Sequence, residues 1–519
     1  MNSIKVKNIR SLVDTGCIEL SPLTILLGRN SSGKSTFLRL FPMFKQSWNT
    51  KNRGALALYG DFVDFGDFES MKTKHKSCDS IEIEFEINIF DDDRKLYYPV
   101  GNKSNPEIPC LCFLKIKRNN TGLLYCSDIE IGIKEHKLIT KFSQDGDILL
   151  FKIDDLDCTN ETNGISVSYA GRSVCLPSFY RKDAKQEQRF SAFDWEVFWK
   201  PFKELLTEFS KKHKLADMPE EDLFFTIMRL ARVLRYEDRE SYISFLGQYK
   251  KRNSLESKLV KFLKDKDFSN KAYKNLLFAI TPFVWDNIRS HLFVISQNIF
   301  YSKPLRAQAE RYYRSQSLAV DDIAPDGSNL VSYIKNMNYY ERTRFEDWTL
   351  ANFDFAIKIK DHEGHQSVHI KEKDNPEEYN VTDMGFGFSQ MIPIVAQLWD
   401  IVVKNSDSKS QYNSFIYAIE QPELHLHPAL QAKTLKLFAK VIEAAKKNKA
   451  DLKIIVETHS ETMINYLGKL ISNKKIDHKD VKILVFDKLT PGSPTEIKSS
   501  FYDENGVLEN WPFGFFNAE

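Results

Sequence analysis

Hydrophobic and polar residues alternate along much of the first third of the chain. From Ser80 onward, isoleucine and phenylalanine occupy every second position and glutamate occupies the positions between them, which is the period of a strand with one buried face. Similar runs predict further strands at Leu111–Lys117, Leu123–Ile133 and Leu149–Ile153. Because these strands follow one another without intervening helices, the pattern favours a largely antiparallel lobe that extends to about Tyr169.

The period becomes helical between roughly Phe190 and Leu292. Ile227 and Leu230, for example, lie on one apolar stripe of a predicted helix. No heptad persists over several turns, so a long coiled coil is not predicted. Lysines and arginines, including the run 250–252, are interleaved with acids in this segment. A solvated helix face explains them at least as well as a nucleic-acid surface, and both alternatives stay open.

Strands and helices alternate after Tyr301. Buried strands are predicted at Phe415–Ile419 and Lys453–Val456, with a helix at about Ala429–Lys446 between them and another helix beginning at Ser389. Alternation of strands with helices is typical of a largely parallel sheet.

The beginning of the chain has the same α/β character, with a strand at Leu23–Leu27 and a helix at Ser35–Phe44. We therefore expect one α/β domain with a mixed sheet that is assembled from both ends of the chain and carries an antiparallel β lobe and a helical insertion. The expected segments are 1–175 for the first half with its lobe, 176–295 for the insertion and 296–519 for the second half.

Composition restricts the class of protein only loosely. The chain has 519 residues, of which 42% are hydrophobic, enough for a large core. Lys and Arg total 73 against 71 Asp and Glu, so net charge gives no global argument for nucleic acid or membrane as a partner. Seven cysteines without a CxxC pair fit a reducing compartment, and no segment approaches the roughly 18 apolar residues of a membrane helix. We expect a soluble cytoplasmic protein, with Cys110 and Cys112 as neighbouring buried thiols rather than zinc ligands.

The most specific motif is the segment GRNSSGKST between the first strand and the first helix, which fits GxxxxGK[ST]. Glycines let backbone amides turn toward the phosphates of a nucleotide, the lysine neutralises phosphate oxygens, and the serine hydroxyl binds Mg²⁺. A strand before and a helix after the motif argue against an accidental match. The predicted phosphate-binding residues are Gly28, Arg29, Asn30, Ser31, Ser32, Gly33, Lys34, Ser35 and Thr36.

Three later segments place candidate side chains at the ends of predicted elements. Glu420 ends a buried strand, from which we expect it to hold hydrated Mg²⁺ through water and Ser35. His459 follows the next buried strand and can hydrogen-bond a γ-phosphate. Ser389 follows a glycine-rich segment and is predicted to begin a helix whose positive end receives phosphate. Each of the three also fits an ordinary structural role, so their assignment depends on the phosphate loop.

Taken in order, the motifs GRNSSGKS, GFGFSQMIP, EQPELHLHP and ETHSE resemble the ABC-type head of SMC-like proteins and of the overcoming-lysogenization-defect (OLD) group of AAA family ATPases. Within that group the chain is similar to the PtuA family, the ATPases of the Septu anti-phage system that also occur beside retrons. The resemblance implies ATP and Mg²⁺ as cofactors, Glu420 as the Walker B acid and His459 as the switch histidine. It also implies that Ser389 contacts the γ-phosphate bound to an opposite subunit, in a head-to-tail dimer or a higher oligomer.

The sequence departs from the ABC pattern directly after the Walker B position. ABC ATPases usually have a catalytic glutamate there, whereas this chain has Gln421, which cannot accept a proton from an attacking water. Slow hydrolysis or a nucleotide-held clamp is therefore expected, with Glu423 as an alternative base. His425 and His427 belong to a recurring family loop and are not expected to bind metal. Arg10 is a further candidate for contact with the nucleotide.

The resemblance also bears on partners. OLD nucleases continue after the switch histidine into a nuclease domain, but only 519 − 459 = 60 residues follow His459, fewer than the roughly 100 of a usual domain. We therefore expect the nuclease on another chain, an HNH protein of the PtuB type regulated in anti-phage defence, with contact to DNA or to retron RNA and DNA left open. Two rival functions remain, a DNA-repair ATPase that clamps duplex DNA and a non-hydrolysing scaffold stabilised by ATP.

Overall fold

The computed structural model describes most of the chain. The run 250–252 and the residues that follow Trp511 lie outside the described residues. Described are residues 1–50, 53–75, 77–89, 107–169, 174–182, 196–215, 219–233, 237–248, 254–314, 320, 322–407, 414–490 and 492–511.

The first part of the chain is rich in strands, as its alternating pattern predicts. Its elements are β1 (Ser3–Ile9), β2 (Leu12–Asp14), β3 (Ile18–Glu19), β4 (Leu23–Gly28), α1 (Lys34–Leu38), α2 (Leu40–Asn49), α3 (Phe68–Met71), β5 (Ser80–Ile89), β6 (Ile108–Arg118), β7 (Leu124–Ile133), β8 (His136–Phe142), β9 (Ile148–Ile153), β10 (Leu156–Asp157), β11 (Ile165–Ser168) and β12 (Ser178–Arg181).

Nine of these strands form one antiparallel sheet in the order β10-β9-β8-β7-β6-β5-β1-β2, with β3 paired to β1. The alternating residues Ile81, Ile83 and Phe85 of β5 are at most 1% exposed, because they face the core while the intervening glutamates face outward. Cys110 and Cys112 are buried on β6 with their sulfurs 3.8 Å apart. The predicted antiparallel lobe is thus confirmed.

Five helices follow in the described part of the chain and share a core with this lobe. Phe278 contacts Phe151 of β9 and Phe198, with ring centroids 5.6 and 5.1 Å apart, so the helices and the antiparallel sheet share one hydrophobic core. Among the described residues, none of the helices combines the length and apolar character that crossing a membrane requires. The five are α4 (Glu196–Lys212), α5 (Glu220–Val233), α6 (Arg239–Gln248), α7 (Leu255–Lys264) and α8 (Ser269–Gln297).

Strands alternate with helices in the last part of the chain. The elements are β13 (Ile299–Ser302), β14 (Tyr313–Arg314), α9 (Leu330–Asn336), α10 (Tyr339–Phe353), β15 (Phe355–His362), β16 (His365–Glu372), β17 (Glu378–Asn380), α11 (Phe386–Asp407), β18 (Ser414–Glu420), α12 (Pro428–Lys447), β19 (Asp451–Glu457), α13 (Glu461–Ser472), β20 (Val481–Asp487), β21 (Glu496–Tyr502) and β22 (Leu508–Glu509).

A seven-stranded sheet in the order β13-β18-β19-β4-β20-β21-β22 organises this part of the molecule. The first five strands are parallel, and β4, from the beginning of the chain, pairs with β19 on one side and β20 on the other. Leu26 enters the core shared with the antiparallel lobe, whereas Ile25 and Leu27 enter a second core on the opposite face. The expected α/β fold with a mixed sheet and an antiparallel lobe is confirmed.

Two helices differ from the sequence expectation in their bounds. The helix after the glycine loop is interrupted at Arg39, because Pro42 has no N–H to donate to the carbonyl of Leu38. The helix predicted to begin at Ser389 begins at Phe386, which places Ser389 inside its first turn. Gly387 lies within this helix, where a Cβ would be 3.0 Å from the carbonyl oxygen of His425. Close packing rather than a turn therefore explains this glycine.

Candidate functional site

The loop that follows β4 depends on two glycines. Gly28 has φ +149°, and a Cβ there would lie 2.2 Å from the carbonyl oxygen of Phe486 on the neighbouring strand. Gly33 has φ +102° and occupies the N-cap of α1, where it supplies no side-chain acceptor. The amide groups of the first helical turn are thereby left for an anionic ligand.

Lys34 lies almost fully inside this loop, with only 3% of its surface exposed. Its Nζ donates hydrogen bonds to the carbonyl oxygens of Gly28 and Arg29, both at 2.9 Å, and lies 3.9 Å from Glu457 Oε1. Burial lowers the pKa of Lys34, and the carboxylates of Glu457 and Glu423 oppose that shift. The loop therefore holds an ammonium group at its centre, where the phosphates of a nucleotide would bind.

Ser35 is hydrogen-bonded to a carboxylate other than the one expected from the sequence. Its Oγ donates a 2.8 Å hydrogen bond to Glu457 Oε1 at the end of β19. Glu457 Oε2 is buried and has no hydrogen-bond partner in the described structure. Burial raises the pKa of Glu457, while the hydrogen bond from Ser35 opposes the rise. Ser35 and Glu457 thus form a pair at the base of the loop.

Glu420, expected beside Ser35, has its carboxylate bound elsewhere. Arg39 binds it with two hydrogen bonds, from Nε to Oε1 at 2.7 Å and from Nη2 to Oε2 at 2.8 Å. The hydroxyl of Tyr301 donates to Oε1 at 2.6 Å. The hydrogen bond to Glu420 raises the pKa of Arg39, and burial followed by the nearby carboxylate raises that of Tyr301. Arg39 on the interrupted helix thus binds this carboxylate, which does not contact Ser35, and the expected role of Glu420 toward hydrated Mg²⁺ stays a prediction.

An open cleft of about 640 Å³ lies over the loop. It brings together most of the predicted loop residues with Gln421 and His459, whereas Gly28, Arg29, Glu420 and Ser389 do not line it. Its charged groups are mostly cationic, and Lys488 Nζ donates to the carbonyl oxygen of Ser31 at 2.6 Å. Such a surface favours a polyanionic ligand. The lining residues are Arg10, Ser11, Asn30, Ser31, Ser32, Gly33, Lys34, Ser35, Thr36, Ser70, Lys72, Lys74, His75, Gln421, Glu457, His459 and Lys488.

His459 is held in this cleft through its main chain. Its N–H donates to Glu423 Oε1 at 2.8 Å, so Glu423 supports the residue that the sequence predicts to meet a γ-phosphate. Burial lowers the pKa of His459, and the charge of Lys34 lowers it further. A neutral imidazole retains one N–H that can donate to a phosphate oxygen.

Ser389 lies apart from the cleft of its own chain. Its Oγ donates to the carbonyl oxygen of Phe386 at 2.7 Å, in the first turn of α11. The exposed His425 packs edge-on against Phe386, with ring centroids 4.7 Å apart. His427 caps α12 by accepting the N–H of Ala429 at 3.3 Å. Within the described residues, no group of three His, Cys, Asp or Glu side chains forms a metal cluster that includes either histidine.

Arg10 lines the cleft in a left-handed conformation with φ +48°, and its Nη2 donates to the carbonyl oxygen of Phe65 at 3.3 Å.

Three residues of the site were not predicted from the sequence: Glu457, Arg39 and Tyr301. The position of Glu457 could have indicated it, because it ends a buried strand as Glu420 does. Tyr301 begins the segment YSKPLRAQAERYY, which resembles the family but gives the tyrosine no role, and Arg39 belongs to none of the motifs.

The glycine loop, the buried lysine and the parallel sheet together define a phosphate-loop nucleotide-binding protein. The sequence model of the AAA ATPase domain family matches residues 1–464, and the chain belongs to this family. Over 96% of this chain and 97% of the other, the structure is also similar to the SMC head domain from Thermotoga maritima, at 8% identity and a TM-score of 0.33. No curated protein matches the chain.

Proposed function

We propose that the chain binds ATP in the cleft over Gly33 and hydrolyses it. The observation that carries this proposal is the buried ammonium of Lys34 inside a glycine loop whose first-turn amides face an electropositive cleft. Backbone amides and a fixed cation are the groups that P-loop proteins use to bind β- and γ-phosphates. Family membership supports the same ligand.

The residues at the base of the loop fit Mg²⁺ as a cofactor. The hydroxyl of Ser35 is a hard oxygen ligand, and Glu457 Oε2 beside it is a buried carboxylate oxygen without a hydrogen-bond partner in the described structure. When bound, Mg²⁺ neutralises the negative charge on the phosphate oxygens. The chain itself contributes Lys34, the loop amides and His459 around the same phosphates.

Gln421 is expected to limit turnover, and Gln421→Glu should raise kcat by about tenfold or more. Gln421 lines the cleft, and its carboxamide cannot accept a proton from water, whereas a carboxylate can. Steady-state phosphate release measures the effect, with Gln421→Ala as the control because it removes the amide without adding a base. An unchanged or lower rate in Gln421→Glu would contradict this interpretation of the position.

We propose further that two copies close around ATP, each supplying Ser389 to the nucleotide of the other. The support is geometric: Ser389 does not line the cleft of its own chain, although it lies in the first turn of a 22-residue helix. Ser389→Ala should therefore leave ATP affinity within about threefold but raise the dissociation constant of the ATP-bound dimer about 100-fold, because each dimer loses two charge-assisted hydrogen bonds of about 1.5 kcal/mol each. Light scattering with a slowly hydrolysed ATP analogue measures the fractions of monomer and dimer.

Ser296→Ala is the matched control for the dimer. Ser296 is also a buried helical serine whose Oγ donates at 2.7 Å to the carbonyl three residues earlier, in Phe293. It lies on α8, outside the motifs, so its loss should leave the dimer unchanged. A wild-type chain that stays monomeric with the analogue would refute the proposed closure.

The proposed output of this ATPase is control of a separate nuclease in anti-phage defence. The support is the resemblance of the four motifs to the PtuA family, which implies an HNH partner. Co-expression with the products of neighbouring genes tests it: an HNH protein should copurify, and its cleavage of DNA should change when ATP is added. Salt-sensitive, ATP-dependent binding of duplex DNA without such a partner would favour the DNA-clamping alternative.

A further inference from the structure

The order of strands decides which acidic residue lies nearer to the phosphate loop. In register, Glu420 of β18 is opposite Glu457 of β19, and Glu457 is opposite Leu26 of β4. Neighbouring strands lie about 4.8 Å apart, so Glu457 is one strand from the loop-bearing strand and Glu420 is two strands, about 10 Å, away. Glu457 therefore occupies the position from which a carboxylate reaches Ser35 directly.

The carboxylate of Glu420 is already bound by a strong partner. Both of its oxygens accept hydrogen bonds from the guanidinium of Arg39, and Oε1 also accepts from Tyr301. A paired geometry of this kind is among the strongest that side chains form. A water on a metal ion would have to compete with Arg39 for the same oxygens.

The carboxylate of Glu457, unlike that of Glu420, is only partly bound by side chains. Oε1 accepts from Ser35 Oγ at 2.8 Å, Lys34 Nζ lies 3.9 Å away, and Oε2 is buried without a hydrogen-bond partner in the described structure. An unpaired buried carboxylate oxygen is costly, so its presence beside a metal-binding hydroxyl indicates a ligand that completes it.

We infer that Glu457, and not Glu420, is the carboxylate that positions hydrated Mg²⁺ together with Ser35. Glu420 then acts as a positioning residue that fixes Arg39 and the helix carrying the loop. This inference rests on the proposed binding of ATP with Mg²⁺, and it reverses the assignment that motif position alone suggests.

The test compares Glu457→Gln with Glu420→Gln, two isosteric changes on neighbouring strands. The probe is a fluorescent ATP analogue, and the readout is the ratio of its dissociation constants in EDTA and in excess Mg²⁺. Loss of a residue that holds a metal or its ligands costs about 10- to 100-fold in metal affinity, so Glu457→Gln should reduce this ratio about tenfold or more. Glu420→Gln should change it less than about threefold, since its effect reaches the metal only through Arg39. Neither result requires turnover.

Thermal unfolding without nucleotide establishes that both variants are folded, and Glu457→Asp provides a second variant that keeps the carboxylate and should retain part of the Mg²⁺ effect. If Glu420→Gln loses the Mg²⁺ effect while Glu457→Gln keeps it, or if both lose it equally, the inference is overturned. A wild-type chain that binds the analogue in neither condition would instead refute the proposed function.

Discussion

Replacing Lys34 by alanine is expected to weaken ATP binding by a factor of at least about 100, which corresponds to about 2.8 kcal/mol of binding free energy. The change removes the ammonium group at the centre of the loop and its two hydrogen bonds to the carbonyl oxygens of Gly28 and Arg29. It also leaves Glu457 without the nearest cation, so a buried negative charge faces the incoming phosphates. Both effects act in the same direction. Calorimetric titration with ATP and Mg²⁺ measures the loss.

Lys74→Ala provides the matched control for this prediction. Lys74 lines the same cleft but is exposed to solvent, so the loss of its charge should weaken binding less than about fivefold. Equal losses in the two variants would mean that net charge, rather than the geometry of the loop, determines affinity.

Glu420→Ala is expected to destabilise the fold by about 3 kcal/mol, at the lower end for a broken buried ion pair because the side chain of Arg39 is 31% exposed. The change leaves the guanidinium and the hydroxyl of Tyr301 without their shared acceptor between β18, β13 and the helix after the loop. The free energy of unfolding in urea, measured without nucleotide, reports the effect.

A surface ion pair gives the comparison for Glu420. Glu443 and Lys447 lie four residues apart on α12, 2.8 Å from each other, and both are exposed. Glu443→Ala should leave the urea midpoint unchanged, because exposed pairs contribute little. A Glu420→Ala variant as stable as the wild type would contradict the structural role assigned to this carboxylate.

The parts of the fold that follow from local periodicity were predictable. Ile81, Ile83 and Phe85 determine one face of β5 through the two-residue period alone, and the strand appears where the alternation predicts it. The predicted start of α11 at Ser389 is wrong by three residues, because the glycine-rich segment before Ser389 favours a break over a helix. In the structure Gly387 serves close packing against His425, which no local pattern reveals.

The candidate site also has one part that a local pattern predicts and one part that depends on long-range contacts. Gly28 to Thr36 is contiguous, so its conformation could be inferred from the motif and its flanking elements. The pairing of Ser35 with Glu457 joins residues 422 positions apart and depends on β19 lying between β18 and β4. Glu420 and Glu457 both end buried strands, and sequence alone does not say which strand adjoins the loop. Motif order favoured Glu420, whereas strand order favours Glu457.

The central place of β4 in the parallel sheet also affects synthesis on the ribosome. Both partners of this strand come late in translation, since β19 begins at Asp451 and β20 at Val481. At roughly 5–20 residues per second, β4 waits about 20 to 90 s with both edges unpaired. Its apolar run LTILL is then an unpaired apolar strand, which is the kind of segment from which aggregation starts.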